Sequence, residues 1–216
     1  QKYVNSVPLY RQEKDWENLG LSLTRATMAH WMIRCSQDYF TPIINHLQKK
    51  MVSEEVLHCD ETPIQVLKEP GKKPQSKSYM WLYRTTQGSS HPIILYDYQP
   101  SRSGDNAIRF LNGFKGYLHT DGYSGYNKLE GITRCGCWAH LRRKFVEAIP
   151  DKRDKNAPRT TAEIGRDYCD QLFHLEDRYT KRLELEKPVL EAFWCWLDSV
   201  NALKGSALGK AVTYAQ

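Results

Sequence analysis

The stretch VLHCDETPIQVL, residues 56–67, decides the fold prediction. Its apolar and β-branched residues predict a strand, and one carboxylate, Asp60, lies in its middle. A second stretch, GYLHTDGYSGY at 116–126, has a shorter strand pattern that ends at Asp121. A carboxylate within an apolar strand is costly unless it is paired or binds a cation. If the two strands lie side by side, their aspartates could hold a divalent metal ion.

Carboxylate oxygens are hard ligands of the kind that magnesium and manganese prefer. Enzymes that catalyse in-line displacement at a phosphodiester commonly use two such ions about 3.5–4 Å apart. Asp60 and Asp121 are therefore candidate metal ligands of an enzyme that acts on nucleic acid. The alternative for each is an aspartate that only stabilises the turn at the end of a strand.

The charge balance of the chain is compatible with a nucleic-acid partner. Its 216 residues include 31 Lys and Arg against 25 Asp and Glu, a net charge of +6. This balance permits nucleic-acid binding without proving it, and a mildly basic soluble domain is the alternative. No stretch approaches the roughly 18 apolar residues that span a bilayer, so we expect a cytoplasmic protein with no membrane segment.

The cysteines indicate a reducing compartment. Six are scattered along the chain without a secretory context, and we interpret them as free thiols. Cys135 and Cys137 with His140 suggest zinc, but structural zinc sites commonly have four ligands and a C-x2–4-C spacing. Small residues packed on a strand are the better interpretation of this pair.

The pattern of residues 55–150 predicts a mixed sheet. Strands are expected at 56–67, 78–85, 92–98, 117–120 and 132–137, and helices at 103–111, 123–129 and 140–148. The order β-β-β-α-β-α-β-α favours an α/β mixed sheet with helices on both faces. It is the element order of the ribonuclease-H-like fold, in which the first and fourth strands are neighbours. Asp60 and Asp121 would then face one site.

Helices are predicted on both sides of this core. Residues 1–54 form a helical segment in which the helix at 8–18 and the next one resemble a helix-turn-helix, with a break at 39–42. The alternative is a helical hairpin packed on the main domain. A polar linker at 151–160 leads into two further helices, with Pro188 in the first turn of the second. We therefore divide the chain into 1–54, 55–150 and a C-terminal helical insertion at 151–216.

Several ordered motifs carry a family resemblance. They are DETPIQVL at 60–67, PSRSG at 100–104, TDGYSGYN at 120–127, CWAHLRRKF at 137–145 and SALGKA at 206–211. Together they resemble the insertion-sequence-66 transposases of bacteria, and the resemblance runs nearly from end to end. It implies a DDE transposase with Asp60 and Asp121 as two of its three catalytic acids. It also implies two Mg²⁺ or Mn²⁺ ions, double-stranded DNA as transposon ends and target, and a homo-oligomer.

The third acid of that family is a glutamate in a helix beyond the helical insertion. Glu61, Glu147 and Glu163 do not lie in the matching context, so we expect a core truncated before that glutamate. Glu61 follows Asp60 directly, and a strand would point it to the opposite face, which favours a surface or structural carboxylate.

Basic residues in the motifs CWAHLRRKF and PSRSG are candidate DNA contacts. His140, Arg142, Arg143 and Lys144 follow the fifth strand and are predicted to contact DNA phosphate near the metals, with a basic helix surface as the alternative. Arg102 is a further phosphate candidate, and its alternatives are a loop cap or an ion pair with Asp105.

Three classes of function remain open at this point. The first is an enzyme that cleaves DNA strands and transfers them. The second is a non-catalytic fragment that binds DNA or assembles with a full-length partner, which the missing glutamate favours. The third is another metal-dependent nuclease on the same fold, which would need a third carboxylate within these 216 residues.

Overall fold

The computed structural model describes residues 1–152, 158–176 and 182–216. The predicted linker at 151–160 therefore lies partly outside the described residues. The first of the two helices predicted after this linker includes Tyr179, which lies wholly outside them. The strands are β1 Val56–Gln65, β2 Lys77–Thr85, β3 Ile94–Gln99, β4 Tyr117–Thr120 and β5 Thr133–Gly136. The helices are α1 Leu9–Asn18, α2 Arg25–Cys35, α3 Thr41–Met51, α4 Asp105–Phe110, α5 Trp138–Glu147, α6 Thr161–Glu176, α7 Arg182–Ser199 and α8 Ala207–Ala215.

The five strands form one mixed sheet in the order β3-β2-β1-β4-β5. β1 pairs with β2, and β2 with β3, in antiparallel ladders. β4 pairs in parallel with both β1 and β5. The predicted order of strands and helices is therefore observed, except that the predicted helix at 123–129 is a 3₁₀ turn, Ser124–Lys128. β1 lies at the centre of the sheet and next to β4, as the metal-site argument requires.

The main hydrophobic core lies on one face of the sheet. Alternate residues of β1 and β2, including Leu57, Cys59, Trp81 and Tyr83, are buried on this face. They pack against the end of α3, helix α4 and the 3₁₀ turn. The two-residue side-chain period of a strand places these residues on one face and their neighbours on the other.

The other face of the sheet is less covered than predicted. We expected helices on both faces, but Ile94 and Tyr96 of β3 are 57% and 68% exposed. His140 of helix α5 shares a cavity with residues of β1, β2 and β4. Helix α5 packs with α6 and α8, and α6 packs with α7. The apolar faces of these four helices form a second core around Phe145, Phe193 and Leu197.

The N-terminal helices do not break where the sequence predicted. A π-helical turn, Ser36–Phe40, joins α2 directly to α3, so helical structure continues from residue 25 to residue 51. Pro42 has no amide hydrogen to donate to an earlier carbonyl. The wider turn accommodates this loss, and the Thr41 hydroxyl donates to the Ser36 carbonyl at 2.9 Å. The chain thus bends its hydrogen-bond pattern here and does not end the helix.

The position predicted for Pro188 is also wrong. Pro188 lies inside α7, not in its first turn, because the helix begins at Arg182. An interior proline removes one helical hydrogen bond, and the packing of Phe193 and Leu197 in the second core offsets that cost.

Among the described helices, none is long and apolar enough to cross a membrane.

Candidate functional site

The register of β1 and β4 brings Asp60 and Asp121 together. The parallel ladder ends with His58 opposite His119. Continuing it by two residues places Asp60 opposite Asp121 on the same face, on strands that are about 4.7–4.9 Å apart. Both aspartates line one cavity of about 190 Å³. The structure therefore places them as the sequence predicted, at one site.

Each of these carboxylates is held by one backbone amide. Oδ1 of Asp60 accepts from the amide of Glu61 at 2.9 Å, and Oδ1 of Asp121 accepts from the amide of Tyr123 at 2.8 Å. The second oxygen of Asp60 accepts no hydrogen bond from any described residue. The second oxygen of Asp121 lies 3.7 Å from a guanidinium nitrogen of Arg102. Each aspartate thus keeps one oxygen that can turn towards a cation.

The donor set fits a hard divalent cation in part. Two carboxylates with available oxygens are suitable ligands for magnesium or manganese. Within the described ranges, no group of three or more His, Cys, Asp or Glu side chains is arranged to hold a metal ion. Water and phosphate oxygens commonly complete the coordination of magnesium. The pair is therefore suited to an ion whose remaining ligands are water or another bound oxygen donor.

Three histidines line the same cavity. His58 and His119 stack with ring centroids 4.8 Å apart, and His140 lies opposite them at the start of α5. Burial lowers the pKa of both His58 and His119, and the neighbouring His119 and Arg84 lower that of His58 further. Nδ1 of His140 is buried and has no hydrogen-bond partner in the described structure. The site thus contains imidazole nitrogens beside the carboxylates.

His58 and His119 were not among the site residues predicted from the sequence. The signal was present, because each lies two residues before an aspartate, as His58-Cys59-Asp60 and His119-Thr120-Asp121. In a strand, residues two apart point to the same face. Cys137 lines the cavity as well, and all six cysteines are free thiols. In the described part of the chain, Cys135, Cys137 and His140 do not form a group that could hold a metal ion, so the zinc alternative has no support.

Glu61 points away from Asp60, as predicted, but it is not at the surface. Its side chain has no exposed area, and its carboxylate accepts from Nε of Arg102 at 2.7 Å and from the Tyr126 hydroxyl. Burial raises the pKa of Glu61, while the hydrogen bonds from Tyr126 and Arg102 oppose that shift. Glu61 is thus a structural carboxylate beneath the site.

Arg102 forms an ion pair, though not the one considered from sequence. Its partner is Glu61 at 2.5 Å, while Asp105 pairs with Lys128 at 3.0 Å. The guanidinium also lies over the ring of Tyr123 with 4.0 Å to its centroid. Asp105 lies close to Arg102 in sequence, but α4 begins at Asp105, whose side chain pairs with Lys128 of the 3₁₀ turn.

The basic residues of α5 point in different directions. Arg142 forms an ion pair with Asp170 of α6 at 2.5 Å. Arg143 is exposed, and Lys144 lies over the ring of Tyr214 in α8 with 5.2 Å to its centroid. Lys144 lines a second cavity, next to Asp121. The structure therefore does not bring the predicted DNA-contacting residues together as one cluster.

Comparison with protein families decides the identity of the chain. The family model described as "Transposase IS66 family" matches residues 1–216. The chain belongs to the IS66 transposase family. This confirms the resemblance that the sequence motifs indicated. The family members are transposases, so the chain belongs to a family of DNA-transposing proteins.

Curated relatives of this IS66 family chain are uncharacterised proteins of Sinorhizobium fredii. Protein y4qI is 34% identical over 99% of the chain and 43% of its own length. Protein y4jD is 29% identical over 99% of the chain and 45% of its own length. The chain therefore spans less than half the length of these relatives. No solved structure matches it significantly.

Proposed function

We propose that Asp60 and Asp121 are catalytic carboxylates of a DDE-type transposase that cleaves DNA strands and transfers them. The observation that carries the proposal is the β1–β4 register, which aligns the two aspartates over one cavity. Membership of the IS66 transposase family supports it independently. The strand order β3-β2-β1-β4-β5, with only β2 antiparallel to its neighbours, supports a ribonuclease-H-like assignment of this core.

In this proposal, Asp60 and Asp121 would hold Mg²⁺ or Mn²⁺. When bound, such ions activate the attacking water or 3′-hydroxyl and stabilise the leaving oxygen. The chain itself contributes position, since the backbone amides of Glu61 and Tyr123 fix one oxygen of each carboxylate. We assign His140, whose Nδ1 is unpartnered in the described structure, to a phosphate oxygen or attacking water in the same cavity.

The residues predicted from sequence to contact DNA differ in how available their side chains are for binding. His140 and Lys144 line cavities that include Asp121, and Arg143 is exposed on the same helix. Arg142 and Arg102 would need to leave Asp170 and Glu61 to bind phosphate. Double-stranded DNA as the substrate, a homo-oligomeric assembly and the division into 1–54, 55–150 and 151–216 remain part of the proposal.

A second candidate function is a non-catalytic fragment that binds DNA or assembles with a longer transposase. It is favoured by the lack of a third carboxylate at the cavity among the described residues. Glu61 is buried on the other face, Glu147 is exposed on α5, and Glu163 accepts from Thr160 at the start of α6.

Nicking of supercoiled plasmid in Mn²⁺ separates the two functions. We expect the wild-type chain to nick, Asp60→Asn and Asp121→Asn to be inactive, and Glu147→Gln, an exposed carboxylate on α5, to retain activity. Removing a catalytic metal ligand should cost at least about 10²-fold in rate, similar to the loss of one electrostatic contact to a transition state. A wild-type chain that binds DNA but does not nick would instead support the non-catalytic fragment.

A further inference from the structure

Asp121 lies at the junction of two cavities that differ in charge. On one side is the cavity that it shares with Asp60 and the histidines. On the other side is an open cleft of about 440 Å³, which we call the cationic cleft. Its basic residues are Arg134, Lys144, Lys204 and Lys210. They come from β5, α5, the segment before α8 and α8 itself, so only the tertiary structure brings them together.

These four cations outnumber Asp121, the one carboxylate that the structure shows in the lining of the cleft. None of them forms an ion pair with any residue that the structure describes, whereas Arg102, Lys128, Arg142 and Arg166 each do. The other polar partners in the cleft are weak or uncharged. Arg134 donates to the Asp121 carbonyl at 3.0 Å and to the Asn127 side chain, and Lys144 faces the Tyr214 ring. Four uncompensated cations beside one carboxylate form a site for a polyanion.

Local contacts fix the position of α8, which carries Lys210, and of the segment before it, which carries Lys204. The Ser206 hydroxyl caps the helix by accepting from the Gly209 amide at 2.9 Å. A side chain at Gly209 would lie 2.0 Å from the Leu203 carbonyl, so the helix approaches the preceding segment closely. The Tyr214 hydroxyl accepts from the Cys137 amide at 3.3 Å, which ties α8 to the start of α5. These contacts therefore hold Lys204 and Lys210 in positions where both line the cationic cleft with Asp121.

We propose that the cationic cleft binds the phosphate backbone of a DNA strand next to the bond that is cleaved at Asp121. This inference rests on the proposed function and adds the path of the substrate. Arg134, Lys204 and Lys210 are then phosphate-binding residues that were not predicted from sequence, and Lys144 is the one predicted residue among them. Backbone contacts of this kind position DNA and carry no sequence information.

Fluorescence anisotropy with a labelled 20-base-pair duplex tests the cleft without any cleavage. Binding is measured in EDTA at several salt concentrations for the wild type, for Lys204→Gln/Lys210→Gln and for Lys49→Gln/Lys50→Gln. The control pair is likewise two exposed lysines, in the last turn of α3. Each lost phosphate contact lowers the slope of log affinity against log salt by about 0.9. We therefore expect the cleft variant to lose about 1.8 in slope and about tenfold or more in affinity at 0.1 M salt.

An unchanged slope in the cleft variant would overturn the inference, even if affinity fell, because a folding defect weakens binding without removing phosphate contacts. An equal loss in the α3 control would overturn it too. Because lysines 204 and 210 are exposed, both variants should melt like the wild type. A different result would contradict the proposed catalytic role of the aspartates: Asp60→Asn or Asp121→Asn would still nick plasmid. That result would leave DNA binding by the cleft unaffected.

Discussion

Arg102 forms an ion pair with Glu61 directly beneath the candidate catalytic site. Nη2 of Arg102 lies 2.5 Å from Oε1 of Glu61 and 3.7 Å from Oδ2 of Asp121. One guanidinium therefore links a buried carboxylate on one face of β1 to the aspartate that follows β4. The Tyr123 hydroxyl also donates to the Arg102 carbonyl at 2.5 Å, so the loop containing Arg102 is fixed to the segment after Asp121.

Loss of this pair should destabilise the fold. Arg102→Ala leaves the Glu61 carboxylate buried without its cation, and we expect the free energy of unfolding to fall by about 2 kcal/mol. This is below the 3–5 kcal/mol typical of a fully buried pair, because Arg102 is 41% exposed. Urea denaturation measures the loss. In Glu61→Gln/Arg102→Ala the cost should be smaller than the sum of the single changes, and strict additivity would contradict the pairing.

A close approach of two glycines positions the same loop. A side chain at Gly104 would lie 2.1 Å from the Gly125 carbonyl, so the loop before α4 touches the 3₁₀ turn. Gly104→Ala should destabilise the protein by about 1–3 kcal/mol, the usual cost of overpacking. Gly88→Ala is the matched control, since nothing lies within 4 Å of a side chain there. Thermal melting of both variants compares them, and equal melting temperatures would show that the contact is not rigid.

The cysteines should differ strongly in reactivity. Cys35 and Cys195 are exposed, whereas Cys59 and Cys169 are buried. Burial, together with the charge of Asp170, raises the pKa of Cys169 to about 12. Because the thiolate is the nucleophile, we expect iodoacetamide to modify Cys35 and Cys195 more than about tenfold faster than Cys169 at pH 8. Mass spectrometry of the native protein gives the rates, and similar rates for all four would contradict the buried placement.

The same pKa shift of Cys169 makes stability depend on alkaline pH. Its folded pKa exceeds the ordinary value of 9.0, so the unfolded chain loses this proton first as the pH rises. The stability that the thiol contributes is complete below pH 9.0 and is lost between pH 9.0 and about 12. The stability advantage of the wild type over Cys169→Ala should therefore narrow between pH 8 and pH 10. A constant difference in urea midpoint would refute the shift.

A bound divalent metal ion should stabilise the protein through Asp60 and Asp121. A ligand at 100 times its dissociation constant adds about 2.7 kcal/mol to the free energy of unfolding, which is roughly 5–10 °C in melting temperature for a chain of this size. We expect Mn²⁺ to give such a rise, EDTA to reverse it, and Asp60→Asn and Asp121→Asn to abolish it. Asp15→Asn, an exposed aspartate on α1, is the control. Equal shifts in all four proteins would place the metal elsewhere.

The sequence by itself determined where the strands of the sheet lie along the chain and which two aspartates they carry. Strand patterns at 56–67 and 116–121 depend on neighbouring residues, because the two-residue period of a strand is local. The period also put Glu61 on the face opposite Asp60. The predicted adjacency of Asp60 and Asp121 came from the likeness of the element order to the ribonuclease-H-like fold, in which the first and fourth strands are neighbours. The observed parallel pairing of β1 with β4 agrees with it.

Only the tertiary structure decided which charged residues are paired. Arg142 and Asp170 are separated by 28 residues, and Arg102 and Glu61 by 41, so no local pattern marks these ion pairs. Lys204 and Lys210 line one cleft with Asp121 because α8 packs on α5. The energy of a charge depends on its distance from other charges and on burial, and contacts between distant segments set both. The sequence therefore located the two aspartates, and the packing of α8 on α5 brought the basic residues of the cationic cleft together.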